Sequence, residues 1–424
     1  MAHREKRSWP PGPRGHWLKG NTRAYEADRI GFLRRCHRDY GDVFSYNKHT
    51  LFVIDPALTH EALIRTGEAF VTELAPFDTQ QDFDLATAHA ASWMSDRRAA
   101  WPGLNRTAAA ATDDLTVAIL DTVIADGAGR DVDVLSTMRT LTARMISEYC
   151  FGADSAGVPD LLHETVRATR PLAESSHEFP AWLPLPRTRR FFDTSRRLAE
   201  TLTGKVQMRR AAKPDSHRND LLGFLLAAEP APPVNTVAST LHSILMGGHG
   251  VPAAALTSLV WELARRPALV ADLRSEANGP TDGGTPLAEA VVRETLRLYP
   301  PVWLMTRTAS RTTTLGDWSL SPGDDVLLNP YLIHRDPRWW PRPDEFDPTR
   351  WLNGRPAPGP TYLPFGAGPR VCLGSALTMR QLTLTTSRLA SLFTIESPNA
   401  TSVSLEFIDR LAPTHLKARF LPTG

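Results

Sequence analysis

Phe365-Gly366-Ala367-Gly368-Pro369-Arg370-Val371-Cys372-Leu373-Gly374 is the stretch on which the reading of this chain turns. A single cysteine stands in a glycine-rich loop that opens directly into a predicted helix over about 374–393. Glycine permits tight backbone turns and lets a flat ligand approach closely. A helix N-terminus offers free N–H groups and the positive end of the helix dipole, both of which favour thiolate over thiol. Arg370, two residues earlier, adds a cation. A thiolate held in this way can bind iron and push electron density onto it, which favours O–O cleavage. A lone cysteine is more often a buried structural residue. The case therefore rests on the full ten-residue pattern and on what surrounds it.

Outward from the loop, Glu289-Ala290-Val291-Val292-Arg293-Glu294-Thr295-Leu296-Arg297-Leu298 lies in a predicted helix over 286–298, stopped by Pro300-Pro301. Glu294 and Arg297 fall at i and i+3, on one helix face. On an arbitrary helix such a pair is a surface contact worth roughly a few tenths of a kcal/mol. Further out, Trp93 and Arg97 fall at i and i+4, so their side chains point the same way.

The ten-residue loop resembles the heme-binding signature of the cytochrome P-450 family, Phe-Gly-x-Gly-x-Arg-x-Cys-x-Gly, at every fixed position. The resemblance implies heme b with Cys372 as its axial thiolate. It also implies that Phe365 packs against the ligand loop, that Arg370 meets a heme propionate, and that Gly366 and Gly374 belong to the cofactor cradle. The 286–298 helix is similar to the family's Glu-x-x-Arg helix, and Pro348-Thr349-Arg350-Trp351 to its later Pro-x-Arg-Trp/Phe element. Glu294, Arg297 and Arg350 would then form a buried network that holds the cysteine loop, a structural role for which a bidentate Arg–carboxylate pair is suited. Trp93, Arg97 and Arg307 match positions at which the family binds the propionates. Two buried carboxylates need several cations or donors.

The implied fold is mainly α with small β sheets, a triangular prism around a buried heme. It forms one domain over 1–424 with a Pro-rich lead-in at 1–20. Heme is expected between the Cys372 loop and a long apolar helix around 236–275, interrupted near Gly247–Pro252. Two strand-like runs, through Phe44 and through Leu51–Ile54, flank Asn47-Lys48-His49-Thr50 and read as a hairpin. The text from Asp113 to Arg210 is mostly helical. Resemblance is dense from 286 to 378 and thin between 110 and 235.

One departure stands out. The family's long helix carries Ala/Gly-Gly-x-Asp/Glu-Thr-Thr/Ser, whose acid and alcohol organise water and deliver protons to the reacting oxygen. Here Gly248-His249-Gly250-Val251-Pro252 occupies that oxygen groove. Gly250 stands for the acid and Val251 for the alcohol. Pro252 cannot donate to the carbonyl of Gly248, so a kink or opening is expected. His249 has an ordinary pKa near neutrality, but the family varies this slot and often points it away from heme. Protons would come from the substrate or from water, or the reaction diverges from hydroxylation.

Composition fits this frame. The chain has 424 residues, 42% hydrophobic and 22% charged, as a globular protein has, and a net charge of +2 that implies no pull on nucleic acid. Three cysteines, Cys36, Cys150 and Cys372, give no metal-knuckle spacing and no even set for disulfides, which favours a reducing cytoplasm. No apolar run reads as a signal peptide or membrane span, so a soluble cytoplasmic monomer is expected.

The resemblance implies a monooxygenase that takes dioxygen and two electrons from NAD(P)H through a ferredoxin and its reductase. The redox partner would dock near Cys372, with Arg98, Arg106 and Arg380 as candidates. Substrate contacts are expected from residues 73–92 and 243–252, from Val302, Trp303, Leu304 and Met305, and from Phe407. They imply an apolar or aromatic small molecule or a peptide. An Arg- and Ala-rich, Lys-poor chain suits a bacterium in which such enzymes tailor secondary metabolites. The alternatives are oxidative C–C or C–N coupling, nitration, peroxygenase chemistry, and a non-catalytic heme sensor or carrier.

Overall fold

A computed structural model describes residues 8–16, 20–72, 94, 97–173, 186–212, 220–279, 284–352, 359–408 and 410–423. Trp93 and the stretch 73–92 lie outside the described residues. The chain packs as two compact units. The first holds Met1–Ser95, Val302–Glu345 and Pro356–Cys372; the second holds Asp96–Pro301, Phe346–Arg355 and Leu373–Gly424.

The first unit is organised by a five-stranded sheet. Its strands are β1 (Val43–Ser45), β2 (Thr50–Val53), β3 (Phe70–Val71), β4 (Met305–Ala309) and β5 (Asp325–Leu328), in the order β1-β2-β5-β4-β3. The predicted hairpin is present: β1 and β2 pair antiparallel, with Phe44 opposite Phe52. Only β2 and β5 run parallel. Val43, Leu51, Val53, Phe70 and Leu328 form the core on one face. The helix Pro56–Ile64 starts cleanly because Asp55 caps it, accepting from the Leu58 amide at 2.7 Å, and Pro56 occupies its first turn.

The second unit is mostly helical. Helices α1 (Val134–Phe151), α2 (Val158–Ala173), α3 (Val234–Ala264), α4 (Pro286–Leu298) and α5 (Ser375–Leu392) carry the residues that matter below. Ile146, Leu162, Leu198, Leu241 and Leu245 belong to one shared core. Close approach of α3 to α1 needs glycine: a Cβ on Gly248 would lie 2.6 Å from Ile146 Cγ1. A three-stranded sheet joins Asp131–Asp133, Lys417–Pro422 and Phe393–Glu396, and a hairpin pairs Leu405–Phe407 with Leu411–Pro413. The mainly α architecture with small sheets is therefore as expected, and the 286–298 helix has the predicted limits.

Two expectations about the long helix are corrected. The 236–275 segment is two helices, α3 and Pro267–Ala277, because Pro267 starts a new helix after Arg265-Arg266. The expected interruption at Gly247–Pro252 is absent: α3 runs through Pro252 as one 31-residue helix. A mid-helix proline costs about 3 kcal/mol, and the burial of Leu241, Leu245, Leu256, Leu259 and Val260 along α3 outweighs it. This helix is also long and apolar enough to cross a bilayer, contrary to the sequence reading, but most of its apolar stretch is buried inside the protein.

Candidate cofactor site

In the first unit the cysteine loop is closed by its own backbone. The Cys372 amide donates to the Phe365 carbonyl at 2.9 Å, Val371 to Gly368 at 3.0 Å, and Gly366 to Leu363 at 3.1 Å. Gly366 and Gly368 both sit at φ +70, which side chains rarely adopt. A Cβ on Gly368 would meet the Leu63 carbonyl at 2.4 Å, so the loop presses against the helix Pro56–Ile64 through bare backbone. Met305, at the start of β4, has its sulfur 3.8 Å from where a Gly366 Cβ would stand. Upstream, the Leu363 amide donates to His334 Nε2 at 2.8 Å, which puts the imidazole proton on Nδ1. The sequence reading assigned His334 no role; nothing in local spacing ties it to a residue 29 positions later.

Cys372 is exposed, whereas Cys36 and Cys150 are buried. Burial pushes the Cys36 thiol up to about 11 and the Cys150 thiol further. As expected, a helix follows the loop: α5 begins at Ser375 with Gly374 as its N-cap. A short helical turn, Gly368–Arg370, precedes the cysteine.

Arg307 lies on β4 and is buried, with Nε donating to Thr66 Oγ1 and Nη1 to the Thr306 carbonyl, both at 2.8 Å. Arg370 is half-buried at the end of its short turn. Arg97 is a half-buried helical residue of the second unit.

The expected Glu294 network is present in the second unit and is larger than expected. Glu294 and Arg297 are both fully buried. Arg297 grips the carboxylate with Nε at 2.9 Å and Nη2 at 2.8 Å. Arg350 Nε adds a bond at 3.0 Å, Trp351 Nε1 one at 2.8 Å and the Asp347 amide one at 2.9 Å. The contributions of Trp351 and Asp347 were missed. Trp351 was visible as the last residue of the Pro-x-Arg-Trp element, but a backbone amide leaves no mark in sequence. Removing one partner of such a pair costs about 3–5 kcal/mol, since it strands a buried charge.

On α3, Gly247 and Gly250 have nothing within 4 Å of where a Cβ would stand. The missing acid at Gly250 is therefore not explained by crowding. Val251 is half-buried and Pro252 buried. His249 is fully buried and packs edge-to-face against His163 of α2, ring centroids 5.5 Å apart at 83°. Among the described residues, neither ring nitrogen of His249 has a hydrogen-bond partner. Burial, then the neighbouring His163 and Arg139, push its pKa down to about 3. At neutral pH it is an uncharged imidazole, not a standing acid.

The substrate candidates divide between the units. Trp303 is buried, and Val302, Leu304 and Met305 are half-buried in the first. Phe407 is half-buried in a hairpin of the second. The docking candidates Arg98, Arg106 and Arg380 are all exposed. Arg380 also pairs with Asp113, with Nε at 2.8 Å and 3.1 Å from its carboxylate oxygens.

An exposed cysteine on a closed glycine turn, with the other described cysteines buried, fits a heme-thiolate protein. Residues 10–416 match the family model for Cytochrome P-450, and the chain belongs to that family. Its cofactor is heme with an axial cysteine thiolate. Cyclooctatin synthase of Streptomyces melanosporofaciens is 35% identical over 62% of this chain and 62% of that protein. Cyclooctat-9-en-7-ol 5-monooxygenase of the same organism is 28% identical over 62% and 61%. The chain thus spans less than two thirds of these relatives. The solved heme domain of cytochrome P450DA shares the fold, with a TM-score of 0.82 at 20% identity over 98% of both chains.

Proposed function

We propose that this protein is a heme-thiolate monooxygenase that oxidises an apolar small molecule. One oxygen atom of O2 enters a C–H bond and the other leaves as water, which consumes two electrons and two protons per turnover. The heme supplies the oxygen chemistry. Everything else falls to the chain. The observation that carries the reading is the exposed Cys372 on the backbone-closed turn from Phe365.

Arg370, Arg307, Arg97 and Trp93 neutralise and orient the propionates, while Phe365, Gly366 and Gly374 shape the loop. The Glu294–Arg297–Arg350 network keeps the framework rigid. Gly248, His249, Gly250, Val251 and Pro252 form the oxygen-side wall, and Val302, Trp303, Leu304, Met305 and Phe407 contact the substrate. The relatives' names point to secondary-metabolite chemistry, and one describes oxidation of an unsaturated alcohol at position 5. Electrons come from NAD(P)H through a ferredoxin and its reductase, docking beside exposed Arg98 and Arg106. The whole chain serves as a single heme domain, a reading supported by the family match over residues 10–416, and works as a soluble, cytoplasmic monomer.

A second reading is a non-hydroxylating or peroxide-driven reaction. It is favoured by Gly250, which has room for an acid and lacks one. Turnover of unsaturated hydrocarbons and alcohols with a ferredoxin system, run beside hydrogen peroxide alone, tests both. Oxygenated product only with the electron supply supports the monooxygenase. Equal product with peroxide alone supports the second reading.

A further inference from the structure

We propose that Thr66 is a positioning residue for the heme: its hydroxyl aims the guanidinium of Arg307 at a propionate. The inference rests on the reading of Arg307 as a propionate partner, and names the residue that directs it. Both residues belong to the first unit.

Strand geometry puts Arg307 in an unusual place. Successive side chains of a strand alternate between its two faces. Met305, Arg307 and Ala309 therefore share one face of β4, and Met305 and Ala309 pack with Ala62, Leu63 and Phe70 in the apolar core. Arg307 is 7% exposed and Thr66 6%. A cation so buried is costly unless it meets negative charge in good geometry. Its aim therefore matters as much as its charge.

Thr66 supplies the aim. Arg307 Nε donates to Thr66 Oγ1 and Nη1 to the Thr306 carbonyl, both at 2.8 Å. A planar guanidinium held at two of its nitrogens has a fixed plane and a fixed direction. The hydroxyl is oriented in turn. It donates to the Ala62 carbonyl at 3.3 Å, which turns its lone pairs to Nε. The backbone of Thr66 is fixed as well. Its amide donates to the Leu63 carbonyl at 3.4 Å, and Gly67 follows at φ +92 in a turn closed by its own amide on the Phe70 carbonyl at 2.7 Å. The same Leu63 carbonyl leaves no room for a Cβ on Gly368 of the cysteine loop. The end of the helix Pro56–Ile64 thus serves two parts of the cofactor site. Bare backbone meets the cysteine loop, and a hydroxyl two residues past the helix meets Arg307.

The test uses the heme-loaded protein and two readouts other than turnover: the rate of heme loss to excess apomyoglobin, and the ferric/ferrous midpoint potential. Thr66→Val keeps the branched shape and removes the acceptor. It is expected to speed heme loss by about tenfold or more, the equivalent of one hydrogen bond to a charged group. It is also expected to lower the potential, because the reduced heme carries one more negative charge and is favoured by a well-placed cation. Thr66→Ser keeps the hydroxyl and should match the wild type in both readouts. A role in packing alone shifts the urea midpoint and leaves the potential where it was. Thr66→Cys, a weak acceptor, repeats the test should Thr66→Val not load heme. Arg307→Leu separates this proposal from the reading beneath it. Heme loss and potential that change in Arg307→Leu but not in Thr66→Val overturn the role of Thr66 and leave the propionate reading standing. If Arg307→Leu moves neither, both fall. Equal defects in Thr66→Val and Thr66→Ser also overturn the proposal.

Discussion

Thr142 of α1 donates its hydroxyl to the carbonyl of His249 on α3 at 2.9 Å, in a fully buried contact. The bond falls three residues before Pro252, where the helix has lost a backbone donor. The same hydroxyl lies 2.9 Å from the Met138 carbonyl, so it is shared between the two helices. Thr142→Val keeps the shape and removes the bond. It is expected to lower stability by about 1 kcal/mol, read as a shifted urea midpoint with unchanged slope.

Glu294 accepts five donors, and its charge is what they are arranged around. Glu294→Gln keeps the volume and leaves the guanidiniums of Arg297 and Arg350 without their carboxylate. A destabilisation of about 3–5 kcal/mol is expected, enough to reduce the folded, heme-loaded fraction sharply. The ratio of heme absorbance to protein absorbance in purified material measures it. A Gln variant that loads heme normally and melts like the wild type contradicts a structural role.

Acid stability should depend on His249. Its folded pKa is about 3 against an ordinary 6.5, so above pH 6.5 neither state holds the proton and stability is full. As pH falls below 6.5 the unfolded chain binds the proton first and stability drops, continuing until the pH passes the folded value. His163 and His242 are also shifted downward by burial and act in the same direction. Between pH 6.5 and 5 the loss from His249 alone is about 2 kcal/mol. Urea midpoints at the two pH values should differ less in His249→Leu than in the wild type.

The missing acid and alcohol can be restored. A Cβ at Gly250 meets nothing within 4 Å, so Gly250→Asp together with Val251→Thr should fold. The pair is expected to change the share of electrons that reaches product by about tenfold. Electron consumption, product and peroxide measured together decide it; an unchanged partition and product pattern count against a specialised segment.

Much of this was legible in the chain. The loop from Phe365 to Gly374 is a local motif, and its tight, glycine-dependent turn is what a glycine-rich loop implies. Helix limits at 286–298 were readable because Pro286 and Pro300-Pro301 bracket an amphipathic run. What was not legible depended on partners distant in sequence. His334 meets Leu363, the Asp347 amide meets Glu294, and His249 meets His163 only because helices and turns bring them together. Pro252 misled for the same reason. Its local penalty is real, but burial along the rest of α3 decides the outcome.

The central claim is that Cys372 is the thiolate ligand of the heme, and the carbonyl-difference spectrum of the reduced protein tests it most directly. The wild type should give the thiolate-type band, and Cys372→Ser, with the loop otherwise intact, should lose it. A thiolate-type band that persists in Cys372→Ser would contradict the account.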